Sequence, residues 1–175
     1  MKFKSKLAIL FAITAFVSCK KEEPTPVSPT ITFVEAKLSN DKLSSVIKFD
    51  FIDGDGDLGL KQEENIGEQK FNVFVDYYEK RNGLWVLKSP IVNWKPDITL
   101  PLGGFFDTTI VNARFPFIEN ELDRALQGEI KIVLLYNKLS LDSTSTADTI
   151  KYDLYIKDRA FHKSNIITTS YIIVD

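Results

Sequence analysis

The stretch Phe49-Asp50-Phe51-Ile52-Asp53-Gly54-Asp55-Gly56-Asp57-Leu58-Gly59-Leu60 runs a strand straight into a loop of alternating aspartate and glycine. On its N-terminal side, Ile47, Phe49 and Phe51 alternate with Lys48 and Asp50. That period of two marks a strand with one face in a core. In the loop, Asp53, Asp55 and Asp57 are two apart, so a tight curl turns three carboxylates toward one point. Gly54 and Gly56 permit the positive φ angles such a curl needs. Three carboxylates converging in a partly desolvated loop repel one another strongly. A hard dication with oxygen ligands removes that cost, and Ca²⁺ fits best because it accepts many oxygens in flexible geometry. Mg²⁺ demands a stricter octahedron. No His or Cys stands near the loop in sequence, which argues against zinc or copper. The other reading of the same residues is a solvated Asp-Gly turn between two strands.

Asp53, Asp55 and Asp57 also fall at the first, third and fifth positions of an EF-hand loop, with Glu64 at the twelfth. The sixth position is Leu58 where that loop needs glycine, and a strand precedes it in place of a helix. The expectation is therefore a calcium loop outside an EF-hand, with the role of Glu64 open.

Working outward, the rest of the domain reads as β. Thr30 to Leu38 is a first strand. Phe71, Val73, Val75 and Tyr77 alternate up to Asn82-Gly83, beyond which stands Leu84-Trp85-Val86-Leu87. This pattern predicts a hairpin with a type I′ turn. Trp85 and Trp94 read as core or interface aromatics. Ile98 to Leu100 and Thr108 to Phe115 are further strand candidates, and 120–127 reads as one short helix between an Asn120 cap and Gly128. Ile130, Ile132, Leu134 and Tyr136 alternate, as do Ile150, Tyr152, Leu154 and Ile156. Residues 137–148 form a polar loop, and Ile166 to Val174 is the last strand. Short strands punctuated by turns predict two packed antiparallel sheets over residues 30–175.

The segment Tyr155 to Asn165 resembles the last hairpin of bacterial immunoglobulin-like domains, whose loop reads Asp-x-Ala-Gly-Asn-x-Ser; Phe161 and His162 depart from it. The resemblance implies an immunoglobulin-like β-sandwich. In that fold the loops after the second and the penultimate strand emerge at the same end. Side chains two apart share a face, so Asp53 continues the inward series of Phe49 and Phe51, and Asp158 that of Leu154 and Ile156. Asp158 is thereby expected to join Asp53, Asp55 and Asp57, with the Gly59 carbonyl, around one structural Ca²⁺. The alternative for Asp158 is a turn residue paired with Arg159 or Lys163.

At the N-terminus, Lys2, Lys4 and Lys6 precede the apolar run Leu7 to Val17, too short to span a bilayer, which ends at Ser18-Cys19. Cys19 is the only cysteine. Its placement resembles the lipobox of bacterial lipoproteins, with Phe16 where leucine is usual, in the manner of the Bacteroidota. The resemblance implies a cleaved signal peptide at 1–18, lipidation (palmitate-type acylation) of Cys19 and an outer-membrane lipid anchor on the periplasmic or cell-surface side. Residues 19–29 carry three prolines and read as an extended tether. Lys20-Lys21-Glu22-Glu23 is similar to the charged export signal of surface lipoproteins.

Function is less legible. Without the three leader lysines, the 22 basic residues become 19 against 24 acidic, a net charge of about −5. A mildly acidic surface lends no support to nucleic-acid binding. One histidine, His162, and the absence of a Gly-x-Ser-x-Gly motif offer no nucleophilic triad. The expectation is not an enzyme but a surface binding or accessory module, with a glycan or an outer-membrane protein as partner. The alternative is a structural or assembly lipoprotein with no ligand of its own. Exposed aromatics on one sheet face would favour a glycan.

Overall fold

The computed structural model describes residues 26–96, 104–119, 124–135 and 147–174, with 91–96 and 104–109 described by backbone alone. The signal peptide, Cys19, most of the tether, Ile98 to Leu100 and residues 137–146 lie outside the described residues. The strands are β1 (Thr30–Leu38), β2 (Ser44–Asp53), β3 (Val73–Arg81), β4 (Leu84–Leu87), β5 (Ile91–Pro96), β6 (Gly104–Thr109), β7 (Leu126–Leu135), β8 (Thr149–Ile156), β9 (Ile167–Thr168) and β10 (Ile172–Ile173).

Two antiparallel sheets form the body. One has the order β1-β2-β7, the other β10-β8-β3-β4 with β9 also on β8, while β5 and β6 pair as a separate hairpin. Together they make the all-β, two-sheet sandwich that the sequence predicts. Alternation along each strand supplies the reason. Ile47, Phe49 and Phe51 of β2 and Ile130, Ile132 and Leu134 of β7 share one buried cluster with Val73, Val75 and Tyr77 of β3 and Ile150, Tyr152, Leu154 and Ile156 of β8. Asn82 and Gly83 have φ of 51° and 80°, as the type I′ turn between β3 and β4 requires.

The structure departs from the sequence reading at several places. Residues 120–123 of the expected helix lie outside the described residues. Leu126 and Gln127, expected to end it, instead open β7 opposite Asp53 and Ile52. An uninterrupted ladder with β2 gives their backbone groups partners, and tertiary pairing of this kind overrides weak helical propensity. Of Thr108 to Phe115, only Thr108 and Thr109 lie in a strand, β6. Beyond them, Val73 and Ala113 form an isolated bridge. Asn72 holds this segment by accepting from Phe115 N–H at 2.6 Å and donating to its carbonyl at 3.1 Å. The strand β5 has no clear signature in the sequence, because Pro90 and Pro96 bracket it like loop punctuation. The last strand is broken in two. Thr169 Oγ1 accepts from Tyr152 N–H at 3.0 Å, so a side chain replaces a backbone carbonyl in the ladder there. Of the two readings of Trp85, core or interface, the core one does not hold: it lies half-buried against Tyr171, with ring centroids 5.1 Å apart. The side chain of Trp94, in β5, lies outside the described residues.

Candidate metal centre

β2 delivers Asp53 at its last residue, and β8 ends two residues before Asp158. Each continues the inward face of its strand, and the two carboxylates are buried at 0% and 2% exposure. The β2–β3 loop then curls, with Gly56 at φ 72° and Gly59 at φ 100°. The result brings carboxylate oxygens of Asp53, Asp55, Asp57 and Asp158 within 4.8 Å of one another.

Hydrogen bonds hold one oxygen of Asp53 and one of Asp57 and leave the other without a partner. Asp53 Oδ2 accepts from Leu58 N–H at 2.8 Å. Asp57 Oδ2 accepts from Ala160 N–H at 3.1 Å, stitching the β2–β3 loop to the β8–β9 loop. Asp53 Oδ1, Asp55 Oδ1 and Asp57 Oδ1 are buried and have no hydrogen-bond partner. A buried oxygen without a donor is costly, and a cluster of this kind could hold a metal ion. Electrostatics agree. Burial, then the neighbouring charge of Asp55, with smaller contributions from Asp57 and Asp158, pushes the Asp53 carboxyl up to about 7, against the bond from Leu58. Asp57 is also raised, first by burial and then by Asp158 and Asp55.

Asp158 does not pair with Arg159 or Lys163. Its Oδ1 accepts from His162 N–H at 2.7 Å, and its Oδ2 lies 2.9 Å from His162 Nδ1. His162 thus holds both oxygens of Asp158, in the way an outer-shell partner can orient a metal-binding carboxylate. Glu64 is not in the cluster. Its Oε2 accepts from Lys61 N–H at 2.7 Å and its Oε1 from Arg159 Nε at 3.1 Å. Arg114 holds the same arm by donating to the carbonyls of Lys61, Glu64 and Gln69.

Gly59 has a packing role of its own. A Cβ there would meet the Pro116 carbonyl oxygen at 2.5 Å and Phe117 Cα at 2.9 Å. That close approach lets Leu60 N–H donate to the Phe115 carbonyl and Phe117 N–H to the Leu60 carbonyl. Phe161 stands where the resembled hairpin loop has glycine, and it takes a φ of 70°. Ser164, the last residue of that loop pattern, accepts from Ile156 N–H through its hydroxyl at 3.0 Å.

No known protein-family model, curated protein or solved structure matches this chain.

Proposed function

We propose that this chain is a lipid-anchored binding or accessory module whose sandwich is tied at one end by a structural Ca²⁺. The observation that carries the reading is the convergence of four carboxylates from two loops, each loop leaving a different sheet, with three buried oxygens that nothing in the protein satisfies. Asp53, Asp55, Asp57 and Asp158 are the proposed ligands, and the Gly59 carbonyl is the fifth oxygen of the set. Water completes the six to eight oxygens that Ca²⁺ accepts. The ion is structural, because it offsets the mutual repulsion of groups that the two strands deliver to one point. The chain is proposed to perform no catalysis of its own.

The anchor is the acylated Cys19 of a Bacteroidota-type outer-membrane lipoprotein, with residues 1–18 removed. Lipid chains contribute about 0.8 kcal/mol per buried methylene, so several acyl chains hold a protein durably on a bilayer. Two measurements test the reading. Titration calorimetry on EGTA-stripped protein is expected to give one Ca²⁺ per chain; absence of heat on calcium addition would remove the ion. Fractionation of Cys19→Ala is expected to give unprocessed or soluble product; a mutant still in the detergent fraction at mature size would remove the anchor.

A further inference from the structure

The outer face of the β10-β8-β3-β4 sheet carries a pattern that the core does not require. Along β3 the outward positions run Phe74, Asp76, Tyr78 and Lys80, and along β8 they run Lys151, Asp153 and Tyr155. Register sets Phe74 opposite Tyr155, Asp76 opposite Asp153 and Tyr78 opposite Lys151. The rings of Phe74 and Tyr155 stack with centroids 4.8 Å apart and planes 8° from parallel. Lys157 Nζ lies 5.5 Å over Phe74, and Lys163 Nζ lies 3.9 Å over Tyr155. Further along the strands, Lys151 Nζ lies over both Tyr78, at 4.8 Å, and Trp85, at 5.2 Å. The two ring-plus-ammonium clusters stand four residues apart on β3, roughly 13 Å.

Between them, Asp76 and Asp153 face each other directly. Like charges so placed are destabilising in a sheet. Asp153 accepts from Thr168 Oγ1 at 2.7 Å. Counted over the outward positions of β3 and β8 with the adjoining Lys157 and Lys163, the face holds four lysines against two aspartates, and so is basic on a chain whose formal net charge is −2.

We propose that this face binds an acidic polysaccharide, one bearing uronate or sulfate groups. The rings offer flat apolar surfaces for sugar faces. The ammonium groups seated on them, held by contacts that are weak at exposed sites, turn to the carboxylates or sulfates of the chain. Asp76 and Asp153 accept hydroxyl donors between the two clusters. A protein partner fits less well, because protein interfaces deplete Lys and Asp at their centre. An anionic bilayer fits less well because the carboxylate pair sits in the middle of the face. The inference rests on the binding-module reading and is independent of the ion.

Affinity electrophoresis of the full chain in calcium tests it, with hyaluronan and chondroitin sulfate as acidic probes, hydroxyethylcellulose as neutral control and phosphatidylglycerol vesicles as the lipid arm. The expected result is retardation by at least one acidic polymer, lost at high salt through screening. Lys151→Ala with Lys157→Ala should weaken it about tenfold, and Trp85→Ala with Tyr155→Ala should do the same, while the calcium-dependent melting of each variant stays that of wild type. Four outcomes overturn the proposal: no retardation of wild type by either acidic polymer, equal retardation by the neutral polymer, binding to vesicles alone, or variants that bind as wild type does. A wild type that binds no polymer yet keeps its calcium response would strike this inference and leave the calcium reading standing.

Discussion

Asp53 divides its carboxylate between two tasks. Oδ2 takes the Leu58 N–H and closes the loop, while Oδ1 faces the other aspartates without a donor. Asparagine can keep the first contact and removes the charge. Asp53→Asn is therefore expected to melt higher than wild type in EGTA at pH 8, and to lose the stabilisation that calcium gives wild type. The sign follows from burial, which raises the folded-state carboxyl to about 7. The calcium-free fold then holds a proton that the unfolded chain releases near pH 4. Wild type accordingly loses stability relative to the variant as pH rises through that window, and the gap between the two melts should close between pH 8 and pH 5. An Asp53→Asn protein that melts below wild type in EGTA at pH 8 contradicts this account. Strand parity makes Asp53 and Asp158 readable from sequence, because the inward series reaches the last residue of β2 and carries on to the second residue beyond β8. His162 and Glu64 were not readable in that way. Their partners, Asp158 and Arg159, are chosen by loop geometry that no periodicity encodes.

At the scale of elements, strands with clean alternation were legible, and segments held by side chains were not. β1 and β4 fall at the expected residues, and Ile47, Phe49, Phe51, Val73, Val75, Ile132, Leu134, Leu154 and Ile156 are all buried. Leu154→Ala should cost roughly 2–5 kcal/mol, transfer plus cavity, in a urea melt; a loss within error would place Leu154 outside the core. The segment after β6 escaped because Asn72 replaces a ladder there. Its buried amide satisfies both backbone groups of Phe115. Asn72→Ala leaves the Phe115 N–H without its acceptor, while the Phe115 carbonyl keeps the Leu60 N–H, and should cost about 1–3 kcal/mol. A near-neutral result in the same melt would show that water takes the place of the amide. Leu126 and Gln127 teach a related point. Their local pattern suits a helix, yet β2 offers a partner at every position of β7, and the ladder wins.

At the scale of the molecule, the two-sheet sandwich brings the β2–β3 and β8–β9 loops together at one end, where Ala160 N–H donates to Asp57. The chain also enters there, since the Pro26 carbonyl accepts from Gly54 N–H at 3.1 Å. Pro26 lies seven residue steps beyond Cys19, a reach of at most about 25 Å. With Cys19 acylated, the candidate metal end should face the membrane, and the Asn82-Gly83 turn should stand about 30 Å farther out along β3. A fluorophore at Glu63→Cys should be quenched by a headgroup quencher more than one at Asn82→Cys; the reverse order would invert the molecule on its anchor. The proposed ion would tie the two sheets together. Its most direct measurement is the thermal midpoint of wild-type protein in EGTA and in calcium at a hundredfold excess over Kd. Binding to the native state alone adds about 2.7 kcal/mol at that ratio, which should raise the midpoint by roughly 5–10 °C for a domain of this size. Coincident melts in calcium and EGTA would contradict it.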